Sequence, residues 1–532
     1  MPLQDLNVGA SNNNQLEFAG DYHLPFLHLI NHTGEGVRSE THGENIIHLM
    51  IEFNIYESVF DACVTGSLVI VDTQNLISNL PIQGTERLSF KLTTKLENDT
   101  QDTVINCLES HGKEMHVYAI TDKKQLNDQT LTYTIHFASR EFVRNLRTRV
   151  SESFSGRMDE MVNKIFTDPD YLDSQKTLHF QQTRNQDKIV VPNLNPFAAI
   201  SMISKRALPE IERSKGAGYL FYETTKGFHF RSWESLCVDR GGNFRDAVQY
   251  FRYVQGNMQS EQDNLAGKKG ERTVTDRIIE NYKNVHDYRF TNNFHDVAAN
   301  TAMGTYGHRV ITHNIYNKSY RKDDYHYHDR WNQTHHLEDF PSIVDSPVDY
   351  DTKDGTPYQK GVSDYPEARI SVQSTTQFAH GEDTGNYGTT VENDGILEGA
   401  RVSQLNKIAH GTQLEMTING QARISAGDVI EFDLQSVENR KDSQGRLDPQ
   451  YSGRYIITAI RHRVAQNKFI QIITCVKDSS KSGFGYSGNK SYTEMAGRKQ
   501  KGRSIDINEE DDIPKYESPI RNHHGGGWHP GV

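Results

Sequence analysis

Residues 48–92 read HLMIEFNIYESVFDACVTGSLVIVDTQNLISNLPIQGTERLSFKL. Leu49, Ile51, Phe53 and Ile55 alternate with Met50, Glu52, Asn54 and Tyr56. A period of two predicts a strand with one buried face. Gly66 then opens an unbroken apolar run, Leu68, Val69, Ile70 and Val71, closed by Asp72; such a run suits a strand covered on both faces. Residues 75–80 carry three apolar side chains, and residues 81–84, Pro81 to Gly84, form a turn. Glu86, Leu88, Phe90 and Leu92 resume the alternation against Arg87, Ser89 and Lys91. Three strands joined by short links predict a β-barrel or a tight antiparallel sheet.

A chain of 532 residues has room for two to four domains. Aromatic content of 10% is ample for their cores, while a mean hydropathy of -0.71 points to long solvated loops or an extended surface. The net charge is -12, from 70 acidic against 58 basic residues, which argues against a dedicated nucleic-acid binder. The first residues show no basic segment leading into an apolar one, so no secretory signal is expected. No apolar run approaches the length of a membrane span. Cys63, Cys107, Cys237 and Cys475 show no paired spacing; they read as free, buried thiols of a chain made in a reducing cytoplasm.

Outward from the opening stretch, residues 1–19 are polar and Asn-rich and read as an arm. Residues 20–145 continue the first barrel through alternating runs at 115–120 and 131–137, with a charged hairpin loop at 121–130. The period then changes. Met158, Met161, Val162, Ile165 and Phe166 share one helical face, and Asp168-Pro169 stops that helix. A second helix presents Phe197, Ile200, Ile203 and Ala207, with Asn195 as its N-cap and Pro196 in its first position. The aromatic stretch GYLFYETTKGFHFRS at 218–232 predicts a hairpin.

Residues 244–380 are the least regular part. A short helix or strand is expected at 274–281, helical character at 292–302 and a strand at 309–313; part of 341–396 reads as an exposed insertion. Regularity returns with a helix at 397–408, a strand through Leu414, Met416 and Ile418, and a turn at Asn419-Gly420. A long strand follows at 451–462, with residues 469–476 running antiparallel to it. From residue 479 the composition is that of a disordered tail, basic at 498–503 and acidic at 509–512.

Chemistry-bearing motifs are few. Residues 483–488 match G-x-G-x-x-G, but no helix start follows to hold a pyrophosphate. His326, His328, His335 and His336 lie near Asp323, Asp324 and Asp329. These are zinc- and iron-ligand types. Without an H-E-x-x-H helix or a Cys pair, a solvated face or subunit contact is the favoured reading. The terminal HHGGGWHPGV would bind metal only weakly. There is no nucleophile elbow and no P-loop. A glycosidase carboxylate pair is not identifiable without geometry. No catalytic residue, cofactor site or metal ligand is therefore assigned, and no enzyme is expected.

Three stretches carry a resemblance to one family. FNIYESVFDACVTGSLVIVDTQNLISNLPIQGTERLSFKL resembles the first tube-like barrel of the baseplate hub proteins of contractile-tailed (T-even-like) phages. The shared features are a hinge at Tyr56-Glu57-Ser58-Val59-Phe60, a strand ending in Asp72, and NLISNLPIQGTE before the next strand. VVPNLNPFAAISMISKRA resembles the family's proline-led second helix. ISAGDVIEFDL, YSGRYIITAIRHRV and FIQIITCVKDS together resemble its second tube-like barrel. The resemblance spans about residues 45–478 and thins over 244–395.

The resemblance implies an α+β, mainly β chain. Tube-like antiparallel barrels would occupy 20–145 and 213–243 plus 397–478, with a helical, mixed peripheral domain at 146–212 plus 244–396 and a flexible tail at 479–532. It implies a structural homotrimer in the virion, assembled in the host cytoplasm. The ring would join a tail tube or tube initiator above to a cell-puncturing spike below, amid baseplate wedge proteins. DNA would cross its lumen without specific binding, and no cofactor is implied. Two alternatives belong beside this. One is the hub part of a bacterial type VI-like injection spike, although such chains usually continue into further barrel and β-helix domains. The other is a tail-associated cell-wall hydrolase or sugar-binding protein, a role that the family places on a partner chain.

Overall fold

The computed structural model describes residues 18–31, 44–79, 82–94, 104–108, 113–212, 214–253, 274–292, 296–314, 318–343, 349–353, 356–375, 395–436 and 447–481. The expected arm up to residue 17, the tail from 482 with its glycine pattern and terminal histidines, and the insertion at 376–394 lie outside the described residues.

The chain is mainly β. Met50–Ser58 and Thr65–Asp72 form the antiparallel pair expected from the opening stretch, with Phe53 opposite Leu68 and Ile55 opposite Gly66. Two details differ. A register shift between Met50 and Glu52 turns Ile51 outward, where it is 49% exposed, and Leu49 ends a 3-10 turn, Ile47–Leu49. A bulge of this kind breaks the alternation that a simple period assumes. Val69 and Val71 are half-buried rather than enclosed, so this strand has one buried face. Gly66 is required: a Cβ there would sit 2.2 Å from the Phe137 ring. Phe137 in turn stacks on Phe53 at 5.6 Å, and Phe90 meets Phe53 edge-on at 4.9 Å.

Among the described residues, fifteen strands join one sheet. Its main path runs Val285–Asn292, Thr412–Asn419, Lys468–Lys477, Gly453–Ala465, Met50–Ser58, Thr65–Asp72, Thr130–Ser139, Met115–Asn127, Arg87–Thr94, Leu27–Ile30 and Glu44–Asn45. The path is open at both ends. Gly453–Ala465 holds the halves together. Its first residues pair with Val429–Asp433 and its last with Met50–Ser58, while its other edge pairs with Lys468–Lys477. A register shift between Ile457 and Ala459 marks the change of partner, as a bulge re-aims a strand. Each half has its own apolar core, one around Phe53, Leu88 and Phe137 and one around Leu414, Phe432 and Ile457.

The irregular region supplies two of these strands. Gln249–Arg252 runs parallel to Val429–Asp433, and Val285–Asn292 pairs with Thr412–Asn419. The charged stretch at 121–130, expected as a loop, is strand almost throughout, because Met115–Asn127 and Thr130–Ser139 extend their ladder to a two-residue turn. Backbone pairing carries that hairpin where its solvated side chains leave no apolar period. The aromatic hairpin, Tyr219–Thr224 with Gly227–Ser232, takes Leu178–Phe180 as a third strand in a sheet of its own. It does not pair with the 412–477 strands beside which the resemblance places it. Residues Ser479–Ser480, expected in the tail, pair with Phe340–Pro341.

The expected helices are present as Met158–Thr167, Pro196–Ser204 and Gly395–His410. Met158, Met161, Val162, Ile165 and Phe166 are all buried, against Phe228 and Phe230 of the hairpin. Asn195 makes no side-chain cap; Asn145 accepts from the Phe197 N–H at 2.9 Å instead. No helix among the described residues is long and apolar enough to cross a membrane.

One buried charge cluster ties the helical part to the sheet. Lys176 Nζ donates to Glu141 at 3.0 Å and to Glu223 at 2.6 Å. Glu223 also accepts from the Val64 N–H at 2.9 Å and from the Ser139 hydroxyl, and Glu141 from the Ser174 hydroxyl. Burial opposes the Lys176 charge, but Glu223 and Glu141 outweigh it and hold the ammonium above its ordinary range. Removing one member of such a cluster leaves a buried charge uncompensated. Lys176→Ala is therefore expected to cost about 3–5 kcal/mol, read as a fall in the urea midpoint. Combining Lys176→Met with Glu141→Gln and Glu223→Gln should recover most of the loss.

Candidate functional site

The seam between the two halves of the sheet presents two different faces. Alternation along Met50–Ser58 sends Glu57 inward and Glu52, Asn54 and Tyr56 outward; along Gly453–Ala465 it sends His462 inward and Arg461 and Arg463 outward.

On the inner face the seam is polar between two apolar cores. Glu57 is buried and accepts from the backbone N–H of Thr225 and of Ala426, each at 3.0 Å. His462 Nε2 lies 3.2 Å from the same carboxylate, and its Nδ1 lies 3.0 Å from Gln471 Nε2. Gln421 N donates to Gln471 Oε1 at 2.9 Å, and Gln471 Nε2 donates to Gln421 O at 2.9 Å. That pair of bonds orients the Gln471 amide with its NH₂ toward His462. Nδ1 therefore accepts, and Nε2 carries the proton facing Glu57. Burial works to raise the Glu57 carboxyl, but the hydrogen bond from His462 and the two backbone N–H donors outweigh it and leave it below the ordinary range. The network links both halves of the sheet and the aromatic hairpin at one point.

On the outer face Glu52 accepts from Arg461 at 2.8 Å and from Arg463 at 3.0 Å. Arg461 also donates to Asn54 at 2.9 Å and lies over the Tyr56 ring. Hydrogen bonding from Arg463, first of all, holds the Glu52 carboxyl below its ordinary range. The same face continues outward on both sides: Ser67 meets Asn54 and Tyr56, and His136 meets Thr121 at 2.8 Å. On the far strands Arg289 pairs with Glu415 at 2.9 Å. The result is a broad polar sheet surface on which arginines are neutralised in place.

The histidine group of the sequence is divided among several different partners. His326 Nδ1 lies 2.8 Å from Ser363 O, and His328 lies between Ser363 Oγ and Ile343 O. His335 Nε2 meets Glu212 O at 2.9 Å. His336 is buried, stacked on Trp331 at 3.5 Å, with Nδ1 2.8 Å from Asp478. Asp324 pairs with Arg309 and Asp323 with Arg321. Among the described residues no group of three or more His, Cys, Asp or Glu side chains converges as a metal site. Cys63, Cys237 and Cys475 are buried and Cys107 is half-buried, all with free thiols. Burial pushes the Cys107 thiol up to about 12.

Sequence reasoning read Glu57 only as part of a hinge and did not single out His462, Gln471 or Gln421. Nothing local pairs them, since Glu57 and His462 are 405 positions apart. A carboxylate and a histidine on the apolar side of alternating strands were the available signal.

No family model matches the chain. In sequence it is similar to the probable baseplate hub protein gp334 of Vibrio phage KVP40 (isolate Vibrio parahaemolyticus/Japan/Matsuzaki/1991), 20% identical over 438 residues, which are 80% of this chain and 89% of that protein. Among solved structures it is similar to the tail protein from Neisseria meningitidis MC58, with a TM-score of 0.43 and 7% identity over 86% of this chain and 97% of that one. It is also similar to the 43 kDa tail protein of prophage MuSo2 from Shewanella oneidensis, with a TM-score of 0.42 and 8% identity over 86% of this chain and 100% of that one. The resemblance to phage hub proteins read from the barrel stretches thus meets a phage hub sequence along most of the chain.

The seam carries a pH signature. The folded Glu57 carboxyl lies below its unfolded value. Its contribution to stability is therefore full above the unfolded value of about 4.3 and is lost as pH falls through the folded one. Glu57→Gln should lower the neutral-pH melting temperature and flatten its decline in acid, measured by thermal scans from neutral pH downward. An acid slope identical to that of the unsubstituted chain would remove Glu57 from this role.

Proposed function

We propose that this chain is the central structural hub of a phage contractile-tail baseplate and works as a homotrimeric ring. The observation that carries the reading is the seam: one chain holds two mainly antiparallel half-sheets, each with its own core, edge to edge on a shared polar face. Three such chains offer six half-sheets around a three-fold axis. That arrangement adapts a six-fold tail tube above to a three-fold cell-puncturing spike below, with wedge proteins around it. The resemblance to a phage hub sequence supports the same reading.

Each half-sheet, in this proposal, rolls into a tube-like barrel. In the first, the run that opens as Glu44–Asn45 on Leu27–Ile30 continues through Met50–Ser58 onto Thr65–Asp72, so one length of chain meets both ends of the half-sheet. In the second, a parallel bridge between Arg252 and Asn284 brings the Gln249–Arg252 strand to the start of Val285–Asn292. We assign the first barrel to 20–145 and the second to 397–478 completed by these two strands. Residues 146–212 and the rest of 244–396 form the periphery, and the aromatic hairpin packs at the junction. The barrels pair edge to edge within and between chains, which covers strand edges that would otherwise invite aggregation.

The polar outer face would then line the lumen. A basic wall would release counterions from DNA and grip it. Here Glu52 occupies Arg461 and Arg463, and Glu415 occupies Arg289. The lumen is therefore one that DNA traverses without being held. The role is structural and not enzymatic, its place is the virion tail, and the particle is assembled in the host cytoplasm.

Two measurements test this. Light scattering on the chain, alone and co-expressed with its spike, should give a complex with three copies of the 60.7 kDa chain. Two or four copies, or an image in which the two barrels do not share one ring, would overturn the proposal. In filter binding at physiological salt the chain should retain little DNA, and Glu52→Ala, which releases two arginines, should raise retention several-fold in a salt-sensitive way. Tight, salt-sensitive binding by the unsubstituted chain would contradict the neutral lumen.

A further inference from the structure

Away from the seam, an open groove of about 550 Å³ lies between the helix Arg140–Arg147 and the strand Met115–Asn127. Its walls combine two chemistries. Tyr118 and Leu146 are 44% and 59% exposed, and Tyr118 rests 5.5 Å from the Phe142 ring. Arg140, Arg144 and Arg147 line the same groove, at helical spacing that sets them along one side. Arg140 and Arg144 are anchored by Asp173 and by the carbonyls of the 169–173 turn, so their positions are fixed before anything binds. Arg147 is exposed. The buried His116 Nε2 has no hydrogen-bond partner among the described residues. Burial first, and then the charges of Arg87 and Arg140, push His116 down to about 4.

A surface that is apolar and cationic at once calls for an occupant that is apolar and anionic at once. The chain contains such a stretch outside the described residues: 505–513 reads IDINEEDDI, five carboxylates set among three isoleucines. The last described residue is Lys481, leaving 23 residues between it and Ile505. At roughly 3.3 Å per residue a link of that length can span on the order of 75 Å, enough to cross a protomer or to reach a neighbour. We propose that residues 505–513 dock in the groove beside Arg140–Arg147, with carboxylates on the arginines and isoleucines on Tyr118 and Leu146. The inference is independent of the ring reading, since it needs only the groove and the chain's own acidic stretch. Docked in the same chain the stretch would shield this surface; docked in a neighbouring copy it would clamp two protomers.

Disulfide trapping in the full chain tests it. Leu146→Cys is paired with Ile507→Cys and, as control, with Gly526→Cys, under mild oxidation. Native cysteines are buried or half-buried, and single variants set the background. The Ile507 pair is expected to cross-link about ten-fold faster than the control, as a held segment raises effective concentration. Arg147→Glu, at an exposed position, should cut that rate several-fold, and high salt should do the same. Non-reducing gels separate docking within a chain from docking between copies; either product supports the site. Equal rates for the Ile507 and Gly526 pairs would overturn the proposal. So would cross-linking of Leu146→Cys to a co-purified protein in preference to residue 507, because the groove would then belong to another partner.

Discussion

The pairing of Gly453–Ala465 with Met50–Ser58 is the contact on which the rest of the structure depends. It joins strands from opposite ends of the chain in one ladder, from Ala459 opposite Ser58 to Ala465 opposite Glu52. Ladder bonds alone specify register weakly, since a two-residue slip keeps every side chain on its own face. Glu57 and His462 remove that freedom. A buried carboxylate needs its donors in place, and slipping the register would strand it from His462 and from the Ala426 N–H. The same carboxylate holds Thr225 of the aromatic hairpin, so the register of the seam and the position of the hairpin are set together.

Buried charge recurs at the junctions of this molecule. Lys176 with Glu141 and Glu223 ties the helical part to the first half-sheet. Glu234 accepts from the Ser214 hydroxyl, the His335 N–H and Gln404, and so links the short helix Trp233–Cys237, which follows the hairpin, to Gly395–His410. Apolar packing fills each unit but is indifferent to direction. Hydrogen-bonded charges supply direction, because each donor must meet its acceptor at one distance and angle. The cores hold the units up, and the charged junctions orient them.

The two faces of the seam also explain the composition. A chain of low mean hydropathy builds its cores because its apolar residues are concentrated on one side of long strands. The other side carries Thr, Ser, Asn and neutralised arginines. A broad sheet surface of that kind stays solvated without becoming strongly charged.

Local periodicity determined much of the fold. The strands around Phe53, Leu68, Phe90, Ile135, Met416 and Ile473 and the helices at 158–167 and 196–204 were legible because alternation and helical spacing record which side of an element is buried. The strand Val285–Asn292 carried an alternation of its own in Tyr288 and Phe290, masked by its polar surroundings. Ile51 and Val69 went astray because a bulge and a one-sided strand are properties of the partner as much as of the sequence. The hairpin's third strand, Leu178–Phe180, is too short to leave a period. The sequence by itself determined that this would be a mainly β chain built from strands with one buried face. Only the tertiary structure decided that Glu57 meets His462, that Arg461 and Arg463 are neutralised by Glu52, and that the histidine group scatters. The Glu57 and Glu52 pairings join positions hundreds of residues apart, and no local pattern encodes which distant residue a polar side chain will find once the backbone has closed around it.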